Sequence, residues 1–165
     1  MLFRSVNAAD PLYFDGKLFI TSGYGRGCAL IDISGPAAKL VWENNKKPMA
    51  SHFCSPVYID GNIYGIDGNT GGGKLQCLDP KTGDIKWSQG GGFETFCAAA
   101  GKIIALDGRG DLIVAEAVPT GYKELARASV LNNDRNIKKW TAPVLANGLI
   151  YCRDGDGELV CVDVR

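Results

Sequence analysis

The sequence predicts an all-β fold: a β-propeller of four-stranded antiparallel blades, with about four blades present in the 165 residues. Three observations lead to this prediction. A short turn motif with a central glycine occurs four times, and an apolar residue followed by an acid recurs in step with it. No window shows the apolar stripe of an amphipathic helix. A single small sheet cannot bury both of its faces, so the units are expected to stack.

The glycine motif marks the turn between the first two strands of each unit. Its copies are Asp15–Phe19, Asp60–Tyr64, Ala100–Ile104 and Asn147–Tyr151. The apolar–acid pairs that follow are Ile31-Asp32, Leu78-Asp79, Ala115-Glu116 and Val162-Asp163. A third landmark precedes each turn, as Asp10-Pro11-Leu12, Ser55-Pro56-Val57, Ala98-Ala99-Ala100 and Ala142-Pro143-Val144. This register divides a single domain, 1–165, into blades at approximately 1–45, 46–90, 91–131 and 132–165.

The second unit shows the expected strands most clearly. We predict strands at Pro56–Asp60, Ile63–Asp67, Lys74–Leu78 and Asp84–Ser88, joined by tight turns and by the glycine-rich loop Gly68–Gly73. The turn at Asp79–Gly83 has Pro and Gly where turn dihedrals favour them.

Composition excludes several classes of protein. Lys and Arg together number 18, as do Asp and Glu, so no basic surface indicates nucleic-acid binding. The apolar runs are strand-sized, so no transmembrane segment is predicted, and the N-terminus turns polar too early for a signal peptide. A parent protein that had lost its leader is compatible with this sequence.

The run LDPKTGDIKW, Leu78–Trp87, resembles the repeat of pyrroloquinoline-quinone-type (PQQ-like) propellers. That repeat has an apolar-Asp pair, a Thr-Gly turn and a Trp at this spacing. The first unit is a looser copy that ends in Trp42, and the third is degenerate, with Leu125 where the Trp is expected. The resemblance implies a periplasmic or otherwise extracytoplasmic protein from a family of mostly seven- or eight-bladed rings.

The family includes quinoprotein alcohol dehydrogenases and non-catalytic propellers that bind other proteins. The enzymes resemble one another in a vicinal cysteine pair, a Trp under the cofactor, an Asp base and a calcium ion. Here the closest cysteines are Cys152 and Cys161. We therefore assign no catalytic, cofactor-binding or metal-binding residue, and no cofactor, and we favour the non-catalytic branch. The alternative is a fragment of a PQQ-dependent alcohol dehydrogenase whose cofactor site lies in missing blades.

The six cysteines are interpreted as free, buried strand residues. In the repeat register Cys77 is equivalent to Cys161, and Cys54 to Cys97, so these pairs do not face each other. With a turn at Gly155-Asp156, Cys152 is expected opposite Leu159. The acidic run Asp154–Glu158 resembles the start of a calcium loop, but it is interpreted as a hairpin turn.

A protein or peptide partner is expected to bind the loops and the edge at which the innermost strands begin. Trp140 aligns with Phe53 and Phe96 at the start of these strands, near the mouth of the central channel. Candidate partner-binding residues lie there or in the long loops: Tyr24, Arg26, His52, Asn69, Glu94, Lys139 and Trp140.

We therefore predict a binding or assembly scaffold. Because four blades of a larger ring would form an arc with apolar ends, we expect either a homodimer that completes the propeller or missing blades in a longer parent chain.

Overall fold

The computed structural model describes residues 8–44, 49–68 and 72–165, and all the regular elements in these ranges are β-strands. Blade 1 is a four-stranded antiparallel sheet in the order β1-β2-β3-β4. Its strands are β1 (Leu12–Phe14), β2 (Lys17–Ser22), β3 (Gly27–Asp32) and β4 (Lys39–Asn44). The predicted all-β, propeller-type fold is confirmed.

Blades 2 and 3 form one hydrogen-bonded sheet of seven strands. The strands are β5 (Val57–Ile59), β6 (Asn62–Asp67), β7 (Gly73–Leu78), β8 (Ile85–Ala99), β9 (Lys102–Asp107), β10 (Asp111–Glu116) and β11 (Lys123–Ser129). The first part of β8 pairs with β7 as the outer strand of blade 2, and its last part pairs with β9 as the inner strand of blade 3. The predicted Asp84–Ser88 strand is therefore the beginning of a much longer one.

Blade 4 contains three strands in the described residues: β12 (Val144–Ala146), β13 (Leu149–Arg153) and β14 (Leu159–Asp163). The hairpin interpretation of Asp154–Glu158 is confirmed, because the Asp154 carboxylate accepts the backbone N–H groups of Asp156 and Glu158. The turn is one residue longer than predicted, so Cys152 lies opposite Val160 and not Leu159.

The recurring glycine motif forms the hairpin between the first and second strands. In every copy two successive residues have positive φ, near +50° for the first and near +70° for the glycine, as a two-residue type I′ turn requires. The first positions are Asp15, Asp60, Ala100 and Asn147. This turn twists in the same sense as the strands, which explains why the glycine is the clearest landmark of the repeat.

The register of blade 3 differs from the predicted one before its turn. Counting back from the glycines, Ser55-Pro56-Val57 corresponds to Thr95-Phe96-Cys97, because Cys97 pairs with Ile104 as Val57 pairs with Tyr64. The predicted equivalence of Ala98-Ala99-Ala100 is wrong, and so is that of Cys54 with Cys97. β8 continues from blade 2 without the proline that marks this point elsewhere.

A β-bulge in each of the first three blades shifts the position of the docking tryptophan. Trp42 lies opposite Leu30 and Trp87 opposite Cys77, with one outer-strand residue left over at each bulge. In blade 3 the residue at this position is Ala126, opposite Val114, and Leu125 is the bulged, exposed residue. The prediction that Leu125 replaces the tryptophan is wrong by one position.

Three apolar clusters form the core, and each lies between neighbouring blades. Phe19 and Leu30 of blade 1 pack against Ile63 and Leu78 of blade 2. The second cluster is the largest and joins blades 2 and 3. The third joins blade 3, through Ile104 and Leu112, to blade 4. Cohesion therefore comes from the blade interfaces.

The two tryptophans link consecutive blades. The Trp42 indole N–H donates to the carbonyl of Pro80 (2.9 Å), and the Trp87 indole N–H donates to the carbonyl of Val118 (2.8 Å). Each ring is partly buried where it contacts the following blade.

All six thiols are free, as interpreted from the sequence. Cys28, Cys54, Cys77 and Cys152 are buried, Cys97 is half-buried and Cys161 is exposed, so the prediction of burial fails for Cys161. It lies on the open face of blade 4. Burial raises the pKa of Cys28 to about 12 and those of Cys54 and Cys152 to about 11.

We expect Trp87→Ala to lower the free energy of unfolding by about 3 kcal/mol, since it removes a large ring from an interface. Trp87→Phe keeps much of the contact but loses the hydrogen bond, which should cost about 1 kcal/mol. Urea denaturation measures both. Equal stability of the alanine variant and the wild type would contradict the docking role.

We expect denatured, unreduced protein to titrate six thiols. In the native protein the thiols of Cys28, Cys54 and Cys152 should react slowly at neutral pH, because the thiolate is the nucleophile and a raised pKa keeps its population small. Their reaction rates should rise as the pH approaches their pKa values. A titre of four in the denatured protein would indicate a disulfide.

A candidate binding face

The candidate face is built from the segments that lead into the first strand of each blade. A repeated hydrogen bond fixes these segments to the turn after the second strand. The N–H of Gly68 donates to the carbonyl of Ala50 (3.4 Å), and the N–H of the equivalent Gly155 donates to the carbonyl of Lys138 (2.7 Å). The lead-in segments are thereby held on a rigid scaffold, which suits loops that bind.

The lead-in segment of blade 2 is also anchored to blade 1. The hydroxyl of Thr21 donates to the carbonyl of Met49 (2.8 Å) and accepts the N–H of Ser51 (2.9 Å). The N–H of Ala50 donates to the Asp67 carboxylate (2.8 Å). His52 and Phe53 follow directly, so their backbone position is set by both blades.

Four rings follow one another across the face, and we name them the aromatic row: Tyr24, His52, Phe53 and Trp140. The ring centroids are 5.0 Å apart for Tyr24 and His52, 5.5 Å for His52 and Phe53, and 4.8 Å for Phe53 and Trp140. The first and last rings are exposed. The row thus joins blades 1, 2 and 4, which the sequence alone did not bring together.

The repeat equivalents of Trp140 differ from those predicted. Its equivalents are Phe53 and Phe93, not Phe96, because the register of blade 3 is shifted. Phe93 is buried in the core, where it contacts Tyr122, so blade 3 contributes no ring to the row. Among the described lead-in segments, those of blades 2 and 4 supply a ring of the row at this position, the half-buried Phe53 and the exposed Trp140.

Positive charge lies beside the row. The Lys138 ammonium is 5.9 Å from the centre of the Trp140 ring, within cation–π range. Arg26 is exposed in the same hairpin loop as Tyr24. The Nδ1 atom of His52 is buried and has no hydrogen-bond partner in the described part of the chain. The His52 ring is instead in contact with the rings of Tyr24 and Phe53.

Two of the candidate partner-binding residues, Glu94 and Lys139, are buried, so their side chains are not exposed to a partner on this face. The Glu94 carboxylate accepts the backbone N–H of Lys139 (3.2 Å), and the Lys139 ammonium donates to the carbonyls of Asp134 (2.6 Å) and Gly108 (3.4 Å). A buried charge is costly unless it is bonded, and these contacts satisfy it. Both residues tie the lead-in segment of blade 4 to blade 3. Asn69 lies outside the described residues.

Next to these buried groups is a cleft of about 440 Å³, which we name the arginine cleft. Its charged lining is Glu94, Asp107, Arg109, Arg127 and Arg135, with several glycines. Sequence reasoning missed all three arginines, since no pattern connects a hairpin loop, an outer strand and a lead-in segment.

The three arginines differ in their pairing. Arg127 is neutralised by Asp107, Asp111 and Glu124, and the hydrogen bond to Glu124 is the main cause that raises its pKa above the usual range. The guanidinium groups of Arg109 and Arg135 have no partner in the described ranges 8–44, 49–68 and 72–165. The cleft therefore offers two free cations to a ligand.

The described residues contain no group of three or more His, Cys, Asp or Glu side chains arranged to hold a metal ion. They also contain no helix with the length and apolar character needed to cross a membrane.

Stacked four-stranded units with docking tryptophans and a face of lead-in loops define a PQQ-like propeller. A family model described as outer membrane protein assembly factor BamB matches residues 4–89, just over half of the chain. The chain belongs to this family.

Solved structures agree on the fold. The structure of BamB from Moraxella catarrhalis matches with a TM-score of 0.69 and 15% identity over 93% of this chain. This chain spans 42% of that protein's length. No curated protein matches the sequence significantly.

Two computationally designed proteins are also similar. Ika4 matches with a TM-score of 0.68 and 11% identity, over 98% of this chain and 93% of its own. Ika8 matches with a TM-score of 0.65 and 10% identity, over 93% of this chain and 45% of its own.

We expect titration of the chain with PQQ and Ca²⁺ to give no saturable binding, because no vicinal cysteine pair or calcium ligand set can be assigned. Quenching of tryptophan fluorescence and calorimetry would measure it. A micromolar, calcium-dependent site would contradict the non-catalytic interpretation and favour the dehydrogenase alternative.

Proposed function

We propose that this chain is a non-catalytic propeller scaffold that binds a protein or peptide partner on the face that contains the aromatic row. The observation that carries the proposal is the contact of rings from blades 1, 2 and 4 in one row. Aromatic side chains, above all Trp and Tyr, with Arg, are the residues that most often dominate binding energy in protein interfaces.

The exposed ends of the row suit an apolar or aromatic side chain of the partner. Tyr24 and Trp140 each combine a broad apolar surface with a polar tip. Tyr24 lies in the hairpin loop between β2 and β3 and contacts His52, and Trp140 lies on the lead-in segment of blade 4 and contacts Phe53, so little conformational entropy would be lost on binding.

The arginine cleft extends the proposal to the charge of the partner. Arg109 and Arg135 present planar cations that bind carboxylates in a bidentate geometry. Lys138 and Arg26 add positive charge beside the row. We therefore propose that the partner segment carries an acidic residue close to its aromatic or apolar one.

The family supports an extracytoplasmic, periplasmic location. Its model is described as an outer membrane protein assembly factor, and we propose the same kind of compartment for this chain. We also propose that its blades are part of a larger ring, completed by a second copy or by further blades of a longer parent chain.

We expect peptides selected from a random display library on the wild-type chain to be enriched in aromatic residues next to acids. Their affinity should fall about tenfold or more for Trp140→Ala, because a central aromatic contact is lost. Arg135→Ala should weaken binding less than Trp140→Ala does. The loss of affinity that it causes should be larger at low salt, where charges are less screened. Fluorescence anisotropy with labelled peptides measures each affinity.

The matched control is Leu125→Ala, which removes an exposed apolar side chain on the far outer strand of blade 3. It should leave the affinities unchanged. Peptides that bind the wild type and the Trp140→Ala variant equally well would contradict the proposed face, whatever the oligomeric state of the chain.

A further inference from the structure

The two ends of the blade stack are apolar sheet faces. We name the face that each blade turns to the following blade its forward face, and the face that it turns to the preceding blade its backward face. The forward face of blade 4 and the backward face of blade 1 have no neighbour in the described residues, since the three clusters join only blades 1–2, 2–3 and 3–4. Among the strands that the structure describes, none of blade 1 pairs with one of blade 4.

The forward face of blade 4 has the residues of an interface without the burial. In the third strand, Cys28, Leu75 and Leu112 occupy one repeat position, and all three are at most 5% exposed at internal interfaces. The equivalent residue of blade 4 is Leu159, by its pairing in β14, and it is 65% exposed.

Other forward positions behave in the same way. Tyr151 is equivalent to the fully buried Phe19 and Tyr64, yet it is only half-buried. Cys161 corresponds to Leu30 and Cys77, which are buried, and it is exposed. Blade 4 thus has an interface surface that the described residues do not cover.

The backward face of blade 1 shows the complementary pattern. Tyr58 of blade 2 stacks on Phe14 of the preceding blade, with ring centroids 4.1 Å apart. Its equivalent in blade 1 is Tyr13, which is 64% exposed. Ile33 occupies the position of Pro80 and Ala117, which lie buried where Trp42 and Trp87 dock, and Ile33 is exposed.

These two faces differ from each other but match the two sides of the interfaces between blades 1 and 2 and between blades 2 and 3. At the interface between blades 3 and 4 the equivalent residues Leu145 and Val164 stay 39% and 50% exposed. From this complementarity we infer that a second copy of this chain covers both, head to tail. The forward face of each copy meets the backward face of the other, which closes one ring of eight blades. Such heterologous contacts give a closed ring when the arc of one copy matches the rotation, and a filament when it does not.

The arc of the chain leaves room in one ring for a second copy of the same size. The chain superposes on 93% of Ika4 and on only 45% of Ika8, with nearly equal TM-scores. Its stack of blades therefore corresponds to about half of the longer Ika8 chain. The inference concerns the ends of the stack, so it does not depend on the proposed partner site.

Light scattering after size exclusion tests the inference on the chain as it stands. We expect twice the 17.6 kDa mass of one copy, maintained over a wide dilution series. Leu159→Glu and Tyr13→Glu should each reduce the mass to that of one copy, because each places a charge in an apolar interface. Both side chains are exposed within one copy, so circular dichroism should show unchanged folding.

Leu125→Glu is the matched control, since it adds the same charge at an exposed apolar position away from both end faces. It should keep the doubled mass. A wild-type monomer at high concentration would overturn the inference and favour blades supplied by a longer parent chain. A mass that grows without limit as the concentration rises would also overturn it, in favour of an open filament.

Mixing the two interface variants distinguishes head-to-tail from face-to-face pairing. One copy of Leu159→Glu and one of Tyr13→Glu can form a ring with one intact and one doubly altered interface, so the mixture should partly recover the doubled mass. No recovery on mixing would contradict the head-to-tail arrangement.

The thiol of Cys161 gives an independent measurement. In the closed ring it should be covered as Cys77 is, so a thiol reagent should label it faster in the monomeric Leu159→Glu variant than in the wild type. Equal labelling rates would show that the forward face is open in the wild-type assembly.

Discussion

Every blade has two apolar faces, and no blade can bury either of them by itself. In blade 2, Ile63 and Leu78 pack toward blade 1, whereas Tyr64 and Leu75 pack toward blade 3, and all four side chains are fully buried. Removal of this apolar surface from water is the main favourable term in folding. The stacking order, the docking of the tryptophans and the position of the lead-in segments all follow from it.

The sequence was sufficient for the repeat because local turn chemistry determines it. A type I′ turn needs two positive φ angles, so a glycine recurs at each first hairpin and sets the register of its strands. The register failed where local signals are absent. In blade 3, β8 continues without a proline, and at Leu125 a bulge adds a residue that no sequence pattern marks.

The candidate face was only partly predictable for a different reason. Residue type suggested that Lys139 and Glu94 would be exposed, because charged side chains are seldom fully buried. Their burial depends on carbonyl and N–H groups that the lead-in segments bring together. Likewise, the contact of Phe53 with Trp140 depends on how three blades stack, and the sequence places these residues in separate repeats.

The state of the ring would also determine how the face binds. A ring of two copies has two aromatic rows on one face, related by a two-fold axis, whereas a ring completed by further blades of the same chain has one. A partner with two matching segments would bind both rows of the two-copy ring. Its second contact would form within the complex, where the effective concentration of the second segment is high, so affinity would rise without any new kind of contact. The same apolar faces that hold the blades together would then also set the valency of the scaffold.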